Sequence, residues 1–310
     1  MNTRKVSVRI GNQVCHMSSD DDYLEHICGD FEPHMVNLFR AVAKNRAIVL
    51  DVGANIGCTA ILFSEICGEV HAFEPSPSTF RYLKENVAHN AGANVTLHNF
   101  GFGAEAAITT ITFAANNRSG AFVSNLEKAN ADHLSEQIQI RTLDDTVSSL
   151  GLRGLDFVKI DVEGFEGHVL RGGAMSLQRF QPIVILELNH WCLNAFQRTS
   201  VPDFFDQLRS TFPLLYAVDG DRYLDLHSLD ESYAVMYHHI LHMRFPNIVC
   251  AFNEAQLAEF RANYHHGMVE EDNTPAQVSE EAGESDLAVQ PSPGIVRRAL
   301  SRVSGLINRS

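Results

Sequence analysis

Between residues 47 and 190 two patterns of apolar and polar positions alternate along the chain. AIVLDVG, EVHAFEP, NVTLHNF, DFVKIDVE and PIVILELN are near-continuous apolar runs of strand length, as strands covered on both faces are. Between them lie helix-like segments, over 57–66, over 78–89 and from about 164. Alternation of this kind predicts an α/β fold with a doubly wound, largely parallel sheet. Its right-handed crossovers bring the C-terminal ends of the strands to one edge, where ligands bind. Asp51, Glu74, Asp161, Glu163, Glu187 and Asn189 all fall at such ends.

Upstream, VSVRI and QVCHM predict a strand pair, and Phe31, Met35, Leu38, Phe39 and Val42 predict a helix with Pro33 in its first turn. Residues 108–113 and 137–142 predict an inserted antiparallel pair around the long polar loop AANNRSGAFVSNLEKANADHLSE, which is read as a lid. FPLLYAVDG and NIVCAFN predict two further strands closing one sheet edge, with the core ending near Phe260. The chain thus divides into 1–46, a main domain over 47–262, a linker over 263–294 and a tail over 295–310. Residues 267–294 hold seven acids, three prolines and neither Lys nor Arg, a composition that predicts disorder. In the tail, Ile295, Val296, Ala299, Leu300, Val303, Leu306 and Ile307 share one helical face, with Arg297, Arg298, Arg302 and Arg309 elsewhere. Such a basic amphipathic helix, Ile295–Ser310, is expected to dock on an anionic membrane surface or a protein partner.

Charge removes one class of function. With 24 Lys and Arg against 38 Asp and Glu, the net charge is −14, which repels phosphate backbones, so a nucleic-acid substrate is not expected. Six cysteines without a C-x-x-C pair predict neither a disulfide framework nor a zinc knuckle, and fit a reducing cytoplasm. There is no signal-peptide core at the N-terminus and no apolar run of membrane-spanning length, so a cytoplasmic protein, at most peripheral at a membrane, is expected.

The turn LDVGANIGC carries the first chemical signal. Gly53 permits a sharp exit from the strand and Gly57 lets the next helix pack close, but Asn55 stands where a dinucleotide turn keeps a glycine for its pyrophosphate. Asp51 also repels phosphate and attracts a cation or ammonium group. Glu74 follows at the spacing at which an acid grips ribose hydroxyls. A ribose-containing ligand with a positive group answers all three, and S-adenosylmethionine is one. This reading takes Asp51, Gly53, Asn55, Gly57 and Glu74 as cofactor-binding residues. A dehydrogenase on the same sheet is disfavoured by Asn55.

The second signal is FVKIDVEGFEG, where strand alternation predicts Lys159, Asp161 and Glu163 on one side, too costly to bury unpaired. DVGANIG, FEPSPSTF, RTLDD, KIDVEGFE and the strand ending in ELN together resemble the FkbM-type S-adenosylmethionine-dependent methyltransferases, over about residues 48–190. The resemblance implies a Rossmann-like class I fold of about seven strands with an antiparallel last strand. It also implies methylation of a hydroxyl on a small molecule, sugar or glycan, with Asp161 facing the transfer site. Asp144, in TLDD, also matches the family pattern and is read as a cap of its own helix.

Methylating a weakly nucleophilic hydroxyl requires help in removing its proton. Candidate catalytic residues are His190, directly after ELN, Asp161, and Lys159 as the charge partner of a carboxylate. Asp161, Glu163 and Glu187 are instead candidate oxygen ligands of a divalent cation. His238, His239 and His242 are a weaker metal cluster. Two other readings stay open: a non-catalytic cofactor-binding scaffold, and methylation of nitrogen or protein.

Overall fold

In the structure, a computed structural model that describes residues 3–114, 117–123 and 133–268, the apolar runs become neighbouring strands. β1 (Arg4–Ile10) and β2 (Gln13–Ser19) form an antiparallel hairpin, followed by α1 (Tyr23–Ile27) and by β3 (Gly29–Asp30), which pairs with β1. α2 (Pro33–Ala43) starts on Pro33 and buries Leu38, Phe39 and Val42, as their spacing predicts. Phe39 meets Phe63 and Phe157 edge-on, which fastens this N-terminal unit to the sheet.

β4 (Ile48–Val52), α3 (Cys58–Ile66), β5 (Glu69–Phe73), α4 (Pro77–Asn90) and β6 (Val95–His98) follow as successive parallel crossovers. β7 (Gly101–Phe102), β8 (Ala107–Ala114), β9 (Asn117–Phe122) and β10 (His133–Arg141) then form a separate sheet in the order β7-β10-β8-β9. The predicted antiparallel pair is β8 with β10. Within the polar loop, β9 adds a strand that the sequence pattern did not predict.

The main sheet resumes with α5 (Leu143–Ser149), β11 (Phe157–Ile160), α6 (Glu166–Gly172), α7 (Ala174–Phe180), β12 (Ile183–Glu187), α8 (His190–Gln197) and α9 (Val201–Thr211). It closes with β13 (Leu214–Asp219), β14 (Arg222–Asp225), α10 (Leu229–His242), β15 (Asn247–Ala251), a 3-10 turn at Glu254–Leu257, α11 (Ala258–Asn263) and β16 (His265–His266). The strand order is β16-β14-β13-β15-β12-β11-β4-β5-β6. β15 enters antiparallel between β12 and β13, the reversed last strand of a seven-strand core that β14 and β16 widen at one edge.

Alternate residues of the central strands enter two cores. Val49, Phe157, Ile183 and Val249 pack beneath α2 and α3, while Leu50, Val158, Val184 and Ile248 pack toward α5 and α9. Burial on both faces is why these strands read as unbroken apolar runs.

The chain stays ordered past the expected end near Phe260. His265 and His266 pair with Arg222 and Tyr223, and Met268 packs on the core. Two exposed histidines have no apolar period to announce them as a strand. The tail 295–310 and the linker from 269 onward lie outside the described residues. Among the described residues, no helix is long and apolar enough to cross a membrane.

Candidate active site

The turn after β4 is built on backbone that ordinary side chains resist. Gly53 has φ 79°, and a Cβ there would stand 1.9 Å from the carbonyl oxygen of Asp161, so this turn and the segment leaving β11 touch main chain to main chain. The N–H groups of Gly53 and Ala54 both donate to the Phe73 carbonyl, at 3.0 and 2.9 Å. Gly57, at φ 107°, begins α3, and its bare Cα lets the turn close against Leu83. Asn55 takes the left-handed conformation at φ 49° and aims its N–H at Glu74 Oε2, 3.1 Å away. Ser76 N–H donates to Glu74 Oε1 at 2.8 Å. Burial pushes the Glu74 carboxyl up to about 7, against the pull of these N–H groups and the charge of Lys159. Each of its oxygens keeps a lone pair for a further donor.

Asp51 is placed differently from its expected role toward a ligand. β4 runs one residue beyond it, and its fully buried carboxylate accepts from Thr59 Oγ1 at 2.7 Å and faces Lys159 Nζ at 3.3 Å. Lys159 is its partner in register on β11. Lys159 Nζ also donates to the Gly53 carbonyl at 2.7 Å and lies 3.7 Å from Asp161 Oδ2. Burial opposes the lysine charge, but Asp51, Asp161 and Glu187 outweigh it and raise its pKa. Asp51 therefore supports the turn from behind, through a buried ion pair.

β11 ends at Ile160, so strand alternation does not bring Glu163 to the site. A turn does: Glu163 has φ 53°, and its carboxylate accepts from Asn189 Nδ2 at 3.3 Å and from Cys192 Sγ at 3.2 Å. Asp161, Glu163 and Glu187 present oxygens within 4.8 Å of one another, the only such metal-sized group among the described residues. The three histidines of α10 form none there. Glu166 locks the turn by accepting from the N–H groups of Val162 and Gly164, and burial pushes its carboxyl up to about 8. Asp144 caps α7 rather than its own helix, accepting from the N–H groups of Met175 and Ser176; Thr142 caps α5.

His190 is the first residue of α8, directly after the capping Asn189. Its N–H donates to His239 Nε2 at 3.4 Å, and His239 Nδ1 bonds the Arg244 carbonyl at 2.7 Å, which fixes the His239 tautomer. Burial lowers the His190 pKa, and its buried Nδ1 has no hydrogen-bond partner among the described residues. A neutral imidazole with an open nitrogen can accept a proton.

Glu136, unremarked in the sequence, ties the inserted sheet to the Glu74 loop. Its carboxylate accepts from Ser76 Oγ at 2.6 Å and from Ser78 N–H at 3.3 Å. On the other side, Phe122 stacks on Phe196 of α8 at 3.8 Å, and Gln197 donates to the Val123 carbonyl. One charge in an alternating polar strand gives no signal of such a role. The described part of the insert thus bridges the Glu74 loop and the helix that carries His190.

A family model described as the methyltransferase FkbM domain matches residues 51–222. The chain is 30% identical over 154 residues to the hexuronic acid methyltransferase AglP of Haloferax volcanii, covering 50% of this chain and 61% of that one. It is 27% identical over 152 residues to the 2-O-methyltransferase NoeI of Sinorhizobium fredii, covering 44% and 61%. The chain thus spans about 61% of the length of these curated relatives. Among solved structures, a methyltransferase FkbM from Methylobacillus flagellatus aligns over 46% of this chain and 32% of its own, at 19% identity and a TM-score of 0.32.

Proposed function

The chain belongs to the FkbM methyltransferase family, and from that premise we propose that it transfers the methyl group of S-adenosylmethionine to a hydroxyl oxygen of a sugar or glycan. The observation that carries the cofactor is Glu74: a buried carboxylate, held by the Asn55 and Ser76 N–H groups, with lone pairs left for two ribose hydroxyls. The side chain of Asn55, where a dinucleotide turn keeps a glycine, suits a ligand without phosphates beside it. The substrate class is supported by AglP and NoeI, whose names specify a hexuronic acid and a 2-O position.

When bound, S-adenosylmethionine supplies a methyl group activated by a positively charged sulfur. Lys159 lies 3.7 Å from Asp161, and the acidic edge favours a cationic ligand. His190 takes the hydroxyl proton, a role supported by its place at the start of α8, just after the strand that carries Glu187, and by the lowered pKa that keeps its imidazole neutral. The convergence of Asp161, Glu163 and Glu187 supports a second assignment, oxygen ligation of a divalent cation beside the acceptor.

The test is transfer of a labelled methyl from S-adenosylmethionine to hexuronic acid and neutral hexose glycosides, read by mass spectrometry. His190→Ala is expected to lower kcat by about 10²-fold or more, with cofactor affinity within a few-fold. Glu74→Gln is expected to weaken cofactor binding at least about tenfold by calorimetry, since a carboxamide exchanges one acceptor for a donor. Cofactor affinity unchanged in Glu74→Gln rejects the ribose assignment. Turnover that survives exhaustive chelation removes the cation, and transfer confined to nitrogen or protein acceptors removes the hydroxyl.

A further inference from the structure

α10 carries an apolar face that the rest of the described chain leaves open. Leu229, Tyr233, Tyr237 and Leu241 follow at intervals of four, with Ile240 beside them. The first four are more than half exposed and Ile240 nearly half, whereas Ser232, Val235 and His239 on the opposite side are buried. Singly scattered apolar residues on a surface are ordinary; five large ones along one helix mark a contact surface.

The described chain ends beside this helix. β16 pairs with β14, and His266 Nε2 lies 2.9 Å from Glu231 Oε2 in the first turn of α10. Met268 packs against the same core as Ala234 and Met236 of α10. Residues 269–294 then lead to the one remaining stretch with an apolar helical stripe, Ile295 to Ile307.

We propose that residues 295–310 fold back as a helix onto the exposed face of α10 in their own chain. The dimensions agree: at 1.5 Å per residue the tail is about 24 Å long and α10 about 21 Å. A random chain of the 26 residues of 269–294 would have a root-mean-square span of about 28 Å, enough to reach any part of α10. Tethering keeps the tail at an effective concentration on the order of millimolar. Charge favours this occupant over an anionic membrane. The tail carries four arginines and no acid, so the rest of the chain carries the whole of the −14 and four charges more. That body attracts the tail and repels an anionic lipid surface. Asp230 and Glu231 stand in the first turn of α10, at the start of the stripe, as acids that suit arginine-bearing chain. A second copy would instead bring two acidic bodies together.

Hydrogen exchange on the full chain tests the inference, alongside a chain ending at Gly294 and the variant Tyr237→Asp/Leu241→Asp, whose changes lie on exposed positions. In the full chain, amides of 296–308 are expected to exchange at least about tenfold slower than in an unstructured peptide, unchanged on dilution. Truncation is expected to speed exchange in the exposed turns of α10, and the double variant to release the tail. Tail amides exchanging at unstructured rates would overturn the inference. So would protection that survives the double variant, protection lost on dilution, which indicates a second copy, or protection seen only with phosphatidylserine vesicles, which indicates a membrane surface.

Discussion

Lys159 shows how much of a site rests on one buried charge. It is almost fully buried and shares its charge between Asp51, which has no exposed surface, and Asp161. Removing it alone strands the Asp51 carboxylate with Thr59 as its remaining neutral donor. Lys159→Met is therefore expected to destabilise the fold by about 3–5 kcal/mol, and Lys159→Met/Asp51→Asn to recover most of that loss. Urea denaturation of the two variants decides; a double variant as unstable as the single one shows that the stranded charge is not the cause. The sequence spacing was enough to predict that Lys159 needs a carboxylate partner. That Asp51 is that partner depends on β11 lying beside β4 in a register that sets Lys159 against Asp51, which no local period encodes.

Legibility among the elements tracks burial. β4, β5, β11 and β12 were legible because two packed faces demand continuous apolar runs, and β8 and β10 because their buried positions alternate. β14 and β16, of four and two residues, offer too short a pattern, and β9 lies in a stretch whose polarity reads as loop. The glycine turn and Glu74 were readable from spacing, whereas Glu163 reaches the site through a left-handed turn that strand periodicity hides. The inserted sheet reaches the Glu74 loop through Glu136, whose hydrogen bonds to Ser76 and Ser78 join the two. Glu136→Ala is expected to remove about 1–3 kcal/mol of coupling, so that β8 and β10 exchange amide hydrogens faster while β4 and β11 do not. Equal rates in the variant and the parent chain would show that the insert is held elsewhere.

At the scale of the whole molecule, buried titratable groups tie stability to pH. Burial raises Glu74 to about 7 and Glu166 to about 8 from an ordinary value of 4.5. For a raised carboxyl the stabilising proton is fully in place below 4.5, and its contribution is lost as pH rises through the folded value. The stability of the parent chain minus that of Glu166→Gln is therefore expected to fall between pH 4.5 and 8, by about 1.4 kcal/mol per unit at most, in denaturation curves across that range. A flat difference would mean that Glu166 is ionised throughout. His98 and His239, lowered to about 4 chiefly by burial, act in the other direction as pH falls below 6.5. The strand order has a further consequence, for how the chain reaches this state. β4 pairs with β5 nearby in the chain, but it meets β11 across a seam where Ile48 N–H bonds Asp156, 108 positions away. Loop closure makes such a pairing slow unless the intervening chain is already compact. Among the described residues the inserted strands pair with one another, so if they collapse first they are expected to shorten the loop that the seam must close and to speed the joining of the two halves of the sheet.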